Sequence, residues 1–335
     1  MASSPKSDFP NGDGIQAIQQ PRTVDNAVFN SSGPAPFGPV LPDRLDTFAQ
    51  HRRLLFAMAY RMLGSAEDAE DIVQETFIRW QQAADLEIEF PRAFLVTILT
   101  RLAINYLQSA RVRREEYFGQ WLPEPLVTAP CQNPSIALEV DESLSLAFLF
   151  LLERLTPVER AALLLRDVFD YEYSEIATIL EQTQANCRQI LRRARQHIKD
   201  PRIRFDASRE QRDELLRRFS EASSQGDLEA LVALLSSDAI FYSDGGGKAP
   251  ALPKPIHGPA NIARGMLDGM RRLVPKNLAR RFVDINGHPG IVAFLDGRPF
   301  SVVTLDAADG LISDIYVVTN PEKLRRIPLL ESLPA

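Results

Sequence analysis

The sequence holds only two cysteines, Cys131 and Cys187, in 335 residues. They stand far apart, with no histidine or cysteine at ligand spacing. That excludes a disulfide framework and a zinc site, and Cys187 reads as a small core residue. No apolar run reaches the roughly 18 residues that a membrane-spanning helix needs. The first forty residues lack a basic-then-apolar leader pattern. Rich in Pro, Gly, Ser, Asn and Asp, residues 1–40 read as a disordered extension, and the protein is expected to stay in the cytoplasm. A general basic coat is missing too, because the formal net charge is −6. What remains is ordinary globular material, 45% hydrophobic and 24% charged, long enough for two or three domains with cores of their own.

The average charge hides a local reversal. From Arg188 to Arg204 the chain carries Arg188, Arg192, Arg193, Arg195, Lys199, Arg202 and Arg204 against Asp200 alone, and a second cluster is Arg111, Arg113 and Arg114. A single such run reads as a solvated helix face or as a footprint for a phosphate backbone; two runs, each at the end of a helical segment, shift the reading towards nucleic acid. Composition divides the chain further. Residues 41–110 are helical, with Pro91 opening a new helix; 111–135 form a proline-rich linker; 136–200 are helical again. Within them Thr156 can cap a helix that has Pro157 at its first position. Residues 205–330 change texture, with helices over about Glu210–Ser223, Asp227–Leu235 and Ala260–Leu273. Strands follow over Leu278–Ile285, Ile291–Leu295, Phe300–Leu305 and Leu311–Val318, joined by the turns NGHPG, DGRP and AADG. Helices followed by an antiparallel meander give an α+β domain.

In DAEDIVQETFIRW, Ala69, Ile72, Val73, Thr76, Phe77 and Trp80 form one apolar stripe. The opposite face, with Asp68, Asp71, Gln74 and Glu75, is either solvated or a docking surface for a basic partner. The next helix, PRAFLVTILTRLAINYLQSARVRR, interleaves aromatics with Arg92, Arg101 and Asn105, which suits unstacked bases but also an ordinary bundle. YEYSEIATILEQTQANCRQILRRARQHI reads as a helix-turn-helix: Ser174 caps the first helix, and Glu181 stands where glycine is usual. The second helix buries Cys187, Ile190, Leu191, Ala194 and Ile198 and presents Gln184, Asn186, Arg188, Gln189 and Arg192 to a major groove. In the linker, WLPEPLV is a stiff apolar strip, with Trp121, Leu122, Pro123, Glu124 and Pro125, that either docks on another domain or packs locally.

The order of these segments is more specific than any one of them. YRMLGSAEDAEDIVQETFIRW with FPRAFLVTILTRLAINYL resembles region 2 of bacterial RNA polymerase sigma factors of the extracytoplasmic-function type, and LTPVERAALLLRDVFDYEYSEIATILEQTQANCRQILRRARQHI resembles their region 4. The resemblance covers about Leu45 to Ile198. It implies that Asp68, Asp71, Gln74 and Glu75 meet the β′ clamp helices of core RNA polymerase. It further implies that residues from about Glu87 to Arg114, with Arg92, Arg101, Asn105, Arg111 and Arg113, open and read the −10 promoter element. Region 4 would read the −35 element and meet the β flap. Asn105 stands where many relatives have aspartate.

The remainder resembles a SnoaL-like cone of the NTF2-like superfamily, carried at the C-terminus of a subgroup of these sigma factors. Its marks are WLPEP at Trp121–Pro125, DGGGK (Asp244, Gly245, Gly246, Gly247, Lys248) and NPEKL, beginning at Asn320 and Pro321. The fold implied is therefore two all-α sigma domains followed by an α+β cone. The expected mechanism is control in cis: the glycine turn admits Trp121 or Glu124, and Lys248 pairs with Glu124. Such cones also house enzymes, for which Asp244, His257, Asp284, His288 and Asp314 are acid/base candidates. The NGHPG turn favours a solvent-facing His288. The resemblance implies no catalysis and no cofactor, and leaves a small ligand in the C-terminal pocket open.

Overall fold

Three helices begin the described chain: α1 (Pro42–Leu63), α2 (Ala66–Gln82) and α3 (Pro91–Glu115). The structure, a computed structural model, describes residues 42–83, 88–115, 117–128, 144–198 and 207–332. The extension 1–40, Cys131 and the basic residues Lys199, Arg202 and Arg204 lie outside them, as do the side chains of Arg111, Arg113 and Arg114.

Gly64 ends α1 at φ +66°, a left-handed position that suits glycine. One residue later the Ser65 hydroxyl accepts from the Asp68 amide and caps α2. The stripe of α2 is buried at Ala66, Ala69, Ile72, Val73, Thr76 and Trp80, while Phe77 is half-buried with its ring 4.9 Å from that of Phe48. The Trp80 indole donates to the Arg44 carbonyl and lies under the Arg44 guanidinium at 4.1 Å, which joins α1 to α2. On α3, Leu95, Val96, Ile98, Leu99, Thr100, Leu102 and Ala103 are all buried. That is too many for one face of a surface helix. The reason is that α3 is covered twice, by α1 and α2 on one side and by α5 and α6 on the other.

The second helical group is α4 (Leu146–Leu152), α5 (Pro157–Leu163) with a π-helical turn over Leu164–Val168, α6 (Tyr173–Leu180) and α7 (Gln184–His197). Thr156 caps α5 with Pro157 in the first turn, as the sequence predicts, and Glu159 completes a capping box. Ser174 is not the cap of α6. Glu172 stands at that position, its backbone amide taken by the Glu175 carboxylate, so the helix starts one residue before the serine. Glu181 ends α6 in the left-handed region at φ 53°, and Thr183 caps α7. Arg160, buried, pairs with Glu153 at 2.7 Å and donates to the Met62 carbonyl at the end of α1, tying this group to the first.

Next come α8 (Arg209–Gln225), α9 (Leu228–Leu234), β1 (Leu235–Asp244), β2 (Ile256–His257) and α10 (Pro259–Leu273). The expected meander follows as β3 (Ala279–Ile285), β4 (His288–Leu295), β5 (Arg298–Ala308) and β6 (Leu311–Val318). The sheet order is β2-β1-β6-β5-β4-β3, and it is not wholly antiparallel: β1 pairs with β6 in parallel.

Strand alternation divides this sheet into two apolar faces. Ala239, Phe241, Ile291, Leu305 and Ile315 meet α8, α9 and α10. Their neighbours Ile240, Tyr242, Val292, Val302, Tyr316 and Val318 face the other way, onto Leu122 of the linker, Leu146 and Ala147 of α4, and Leu324 and Ile327 near the C-terminus. Phe150 of α4 closes this contact, edge-on to Tyr242 at 4.9 Å and to Tyr316 at 6.0 Å. The linker and the second helical group therefore share one core with the sheet. This explains why LAFLFLL is apolar all round.

Candidate functional site

After a bend at Phe118-Gly119, residues Gln120 to Thr128 run between the first helical group and the sheet, and three buried polar side chains fix the strip. Asp244, at the end of β1, is 0% exposed. Its carboxylate accepts from the Leu122 amide at 2.9 Å, the Tyr117 hydroxyl at 2.6 Å, the Gly246 amide at 2.9 Å and the Lys323 ammonium at 2.7 Å. Four donors satisfy a charge whose burial alone would be prohibitive. Lys323 also donates to the Leu122 carbonyl and lies 4.1 Å from the centre of the Trp121 ring. Burial, and then the Asp244 carboxylate, raise the Tyr117 hydroxyl far above the ordinary tyrosine range, so it stays a donor.

Glu124 works at the other side of the strip. Its carboxylate accepts from the Ala66 amide at 2.7 Å and from Glu67 and Ser65 more loosely, while its own amide donates to the Gly64 carbonyl at 2.8 Å. It thus seats on the free N–H groups and positive dipole end of α2. Burial raises its pKa above the usual carboxylate value, although these amides and Arg326 pull the other way.

Asn286, in the β3–β4 turn, is the third. It is 0% exposed with φ 52°, a conformation asparagine tolerates. Its side chain accepts from the Leu126 amide at 2.9 Å and donates to the Leu144 carbonyl at 3.0 Å and the Tyr60 hydroxyl at 2.6 Å. Tyr60 in turn donates to the Glu124 carbonyl at 2.6 Å. One turn residue therefore joins α1, the linker, the approach to α4 and the sheet. A single bridge between Val127 and Ile285 extends the sheet to the linker.

These contacts correct two expectations. Lys248 does not pair with Glu124; exposed at the surface, it pairs with Glu322, and Lys323 supplies the buried ammonium instead. Nor do Trp121 and Glu124 approach the glycine turn. A side chain on Gly246 (φ +59°) would collide with the Asn320 amide, and one on Gly247 would press on Phe118. Trp121 lies against Gly64, where an added Cβ would stand 2.6 Å from the indole. Leu122, Pro123, Pro125 and Asn320 are buried and Pro321 is exposed. Tyr60, Tyr117, Asn286 and Lys323 were missed. Lys323 stands inside the NPEKL motif, and the Asn-Gly pair marks the Asn286 turn, but nothing local says that either is buried.

On the α2 face, Asp71 and Gln74 are exposed, Glu75 pairs with Arg79 at 3.0 Å, and Asp68 accepts from the Tyr106 hydroxyl of α3. On α7, Gln184, Arg188, Gln189 and Arg192 are exposed; Asn186 is half-buried, bonded to Gln182 at 2.6 Å. Asn105 of α3 is exposed. Arg92 and Arg101 instead engage the helix-turn-helix. Arg92 lies 5.6 Å over the Tyr171 ring, and Arg101 donates to the Ile179 and Thr178 carbonyls and pairs with Glu181 at 2.9 Å. The cation sits at the carbonyl end of α6, where the helix dipole favours it.

The C-terminal domain encloses a cavity of about 230 Å³ between α8, α10 and the sheet, and none of the five acid/base candidates lines it. His288 is not solvent-facing. The turn is Asn286-Gly287 alone, so His288 already belongs to β4 and is buried, and burial together with Arg212 and Arg209 lowers its pKa to about 4. Among the described residues no group of three His, Cys, Asp or Glu side chains could hold a metal, and no helix is long and apolar enough to cross a membrane.

Comparison with known proteins gives the arrangement a family. Sigma-70 region 2 matches residues 47–113 and sigma-70 region 4 matches residues 145–198. The ECF RNA polymerase sigma factor SigJ of Mycobacterium tuberculosis is 34% identical, over 85% of this chain and 94% of its own. SigG of the same species is 29% identical, over 93% and 91%. The crystal structure of M. tuberculosis SigJ superposes with a TM-score of 0.71 at 32% identity, covering 85% of this chain and 99% of that one. Two sigma regions in order, followed by a domain that packs onto them, place this chain in the extracytoplasmic-function family of RNA polymerase sigma factors.

Proposed function

We propose that this sigma factor is held closed by its own C-terminal domain, which grips the linker and so sets the positions of regions 2 and 4. The observation that carries the reading is the burial of Asp244, with Leu122, Tyr117 and Lys323 bonded to one carboxylate. In the initiating state region 2, with Asn105, Arg92, Arg101, Arg111 and Arg113, reads the −10 element; region 4, with Gln184, Asn186, Arg188, Gln189 and Arg192, reads the −35 element. Asp68, Asp71, Gln74 and Glu75 meet the polymerase. About 25 base pairs of B-form DNA span roughly 85 Å, whereas α3 and α6 touch directly through Arg101. Reading both elements therefore requires the two regions to part, and the linker must come free or turn with one of them. The work is done in the cytoplasm, where the polymerase is. The chain supplies binding energy and leaves bond chemistry to the polymerase; the absence of the five acid/base candidates from the cavity lining supports this.

The test is promoter-complex formation with core RNA polymerase and a promoter selected from random sequence, for the natural chain and for Asp244→Asn and Lys323→Met. Point variants are preferred to truncation, because removing the sheet would strip the cover from Leu146, Ala147 and Phe150. Loosening the clamp should raise complex formation several-fold at equal protein concentration. An unchanged or reduced yield from variants that remain folded would refute the closed-state reading.

A further inference from the structure

The cavity of the C-terminal domain is apolar over most of its wall, with Phe219, Phe241, Met266, Met270 and Ile291 among its lining. Three features go beyond ordinary packing. Arg280 of β3 is the one charged residue of the lining, half-buried, and no described carboxylate pairs with it. Ser223 of α8, 8% exposed and also in the lining, has a buried hydroxyl with no hydrogen-bond partner among the described residues. A buried hydroxyl left so is costly and is relieved by any polar atom brought to it. Gly269 of α10 faces open space, since an added Cβ would meet nothing within 4 Å. At that position alanine would favour the helix more, so the glycine gains nothing locally. Leu273, also in the lining, is 55% exposed.

We infer that this cavity binds a small organic acid with an apolar body, its carboxylate held by Arg280 and its body lying between α8, α10 and the sheet over the space at Gly269. A mostly apolar wall with few placed polar groups is the usual make-up of a small-molecule site, and a guanidinium matches a carboxylate in charge and geometry. The occupant would also touch Thr319, whose hydroxyl bonds to the Asp244 and Pro250 carbonyls. The site thus lies directly behind the linker clamp. Ligand binding goes beyond the closed-state reading and is measured without polymerase or DNA, so either can fail alone.

The experiment titrates the full chain with decanoate and with decanol, read by calorimetry and by ligand-observed NMR. Decanoate should bind at a single site and at least tenfold tighter than decanol. Gly269→Leu should weaken both at least tenfold by filling the space, with Val303→Phe as an independent filler should the first variant fold poorly. Arg280→Gln should remove the preference for decanoate and leave decanol unaffected. No saturable binding below 1 mM to the folded chain overturns the inference. Binding indifferent to both fillers means adsorption at the surface and also overturns it. Equal affinity for acid and alcohol overturns the assignment of the carboxylate to Arg280.

Discussion

Replacing Asn286 gives the sharpest test of how the chain is assembled. Its side chain makes three buried hydrogen bonds, to Leu126, Leu144 and Tyr60, and each group left unpaired costs about 1–3 kcal/mol. Such losses are not additive, so Asn286→Gly, which keeps the left-handed backbone without strain, should cost about 3–5 kcal/mol locally. Asn286→Ala should cost about 1 kcal/mol more, because alanine resists φ 52°. A single global free energy is poorly defined for a chain of several regions, so the proper readout is local. Hydrogen exchange of the peptide covering Trp121–Thr128 reports the opening of the strip. Protection of the Leu126 amide should fall at least a hundredfold in Asn286→Gly while the interior of α2 changes little. A change below threefold in a folded variant would refute the claim that this turn residue holds the linker.

Lys323→Met should be more damaging than Asp244→Asn, since it leaves a fully buried carboxylate without its cation, at about 3–5 kcal/mol; the order in which the Leu122 amide loses hydrogen-exchange protection in the two variants checks this. Gly64→Ala forces a side chain to within 2.6 Å of Trp121 at a left-handed position. Trp121 should be displaced, shifting tryptophan emission to the red. His288 has a folded pKa lowered to about 4, against about 6.5 unfolded. The neutral form is the one the fold accepts, so its contribution is full above pH 6.5 and is lost as pH falls towards 4. That amounts to at most roughly 3 kcal/mol, and His288→Gln should flatten the decline in stability across this window; an equally steep decline in the variant would refute it.

Much of the local structure was legible because its causes are local. The cap at Thr156 with Pro157 after it, the left-handed Glu181, the buried stripe from Ala69 to Trp80 and the meander after Leu278 each follow from spacing within a dozen residues. The linker strip was recognisable as stiff and apolar because Pro123 and Pro125 restrict it. Its partners were not. Charge alone pairs the carboxylate of Glu124 with Lys248, whereas the amides of α2 take it. The NGHPG turn points by its composition to a solvent-facing His288, whereas its Asn286 is fully buried and bonds Leu126, Leu144 and Tyr60.

The sequence by itself determined that two helical regions of a sigma factor precede an α+β domain, since periodicity, caps and motif order act along the chain. Only the tertiary structure decided that both faces of the sheet are buried, that Asp244 and Lys323 close on Leu122, and that Arg101 of region 2 holds the end of α6. The polar contacts among them join residues from 77 to 201 positions apart. A carboxylate or guanidinium reads the same in sequence whether it is solvated or buried. Its partner is chosen by whatever donors the packing brings within about 3 Å, in a place where water no longer competes.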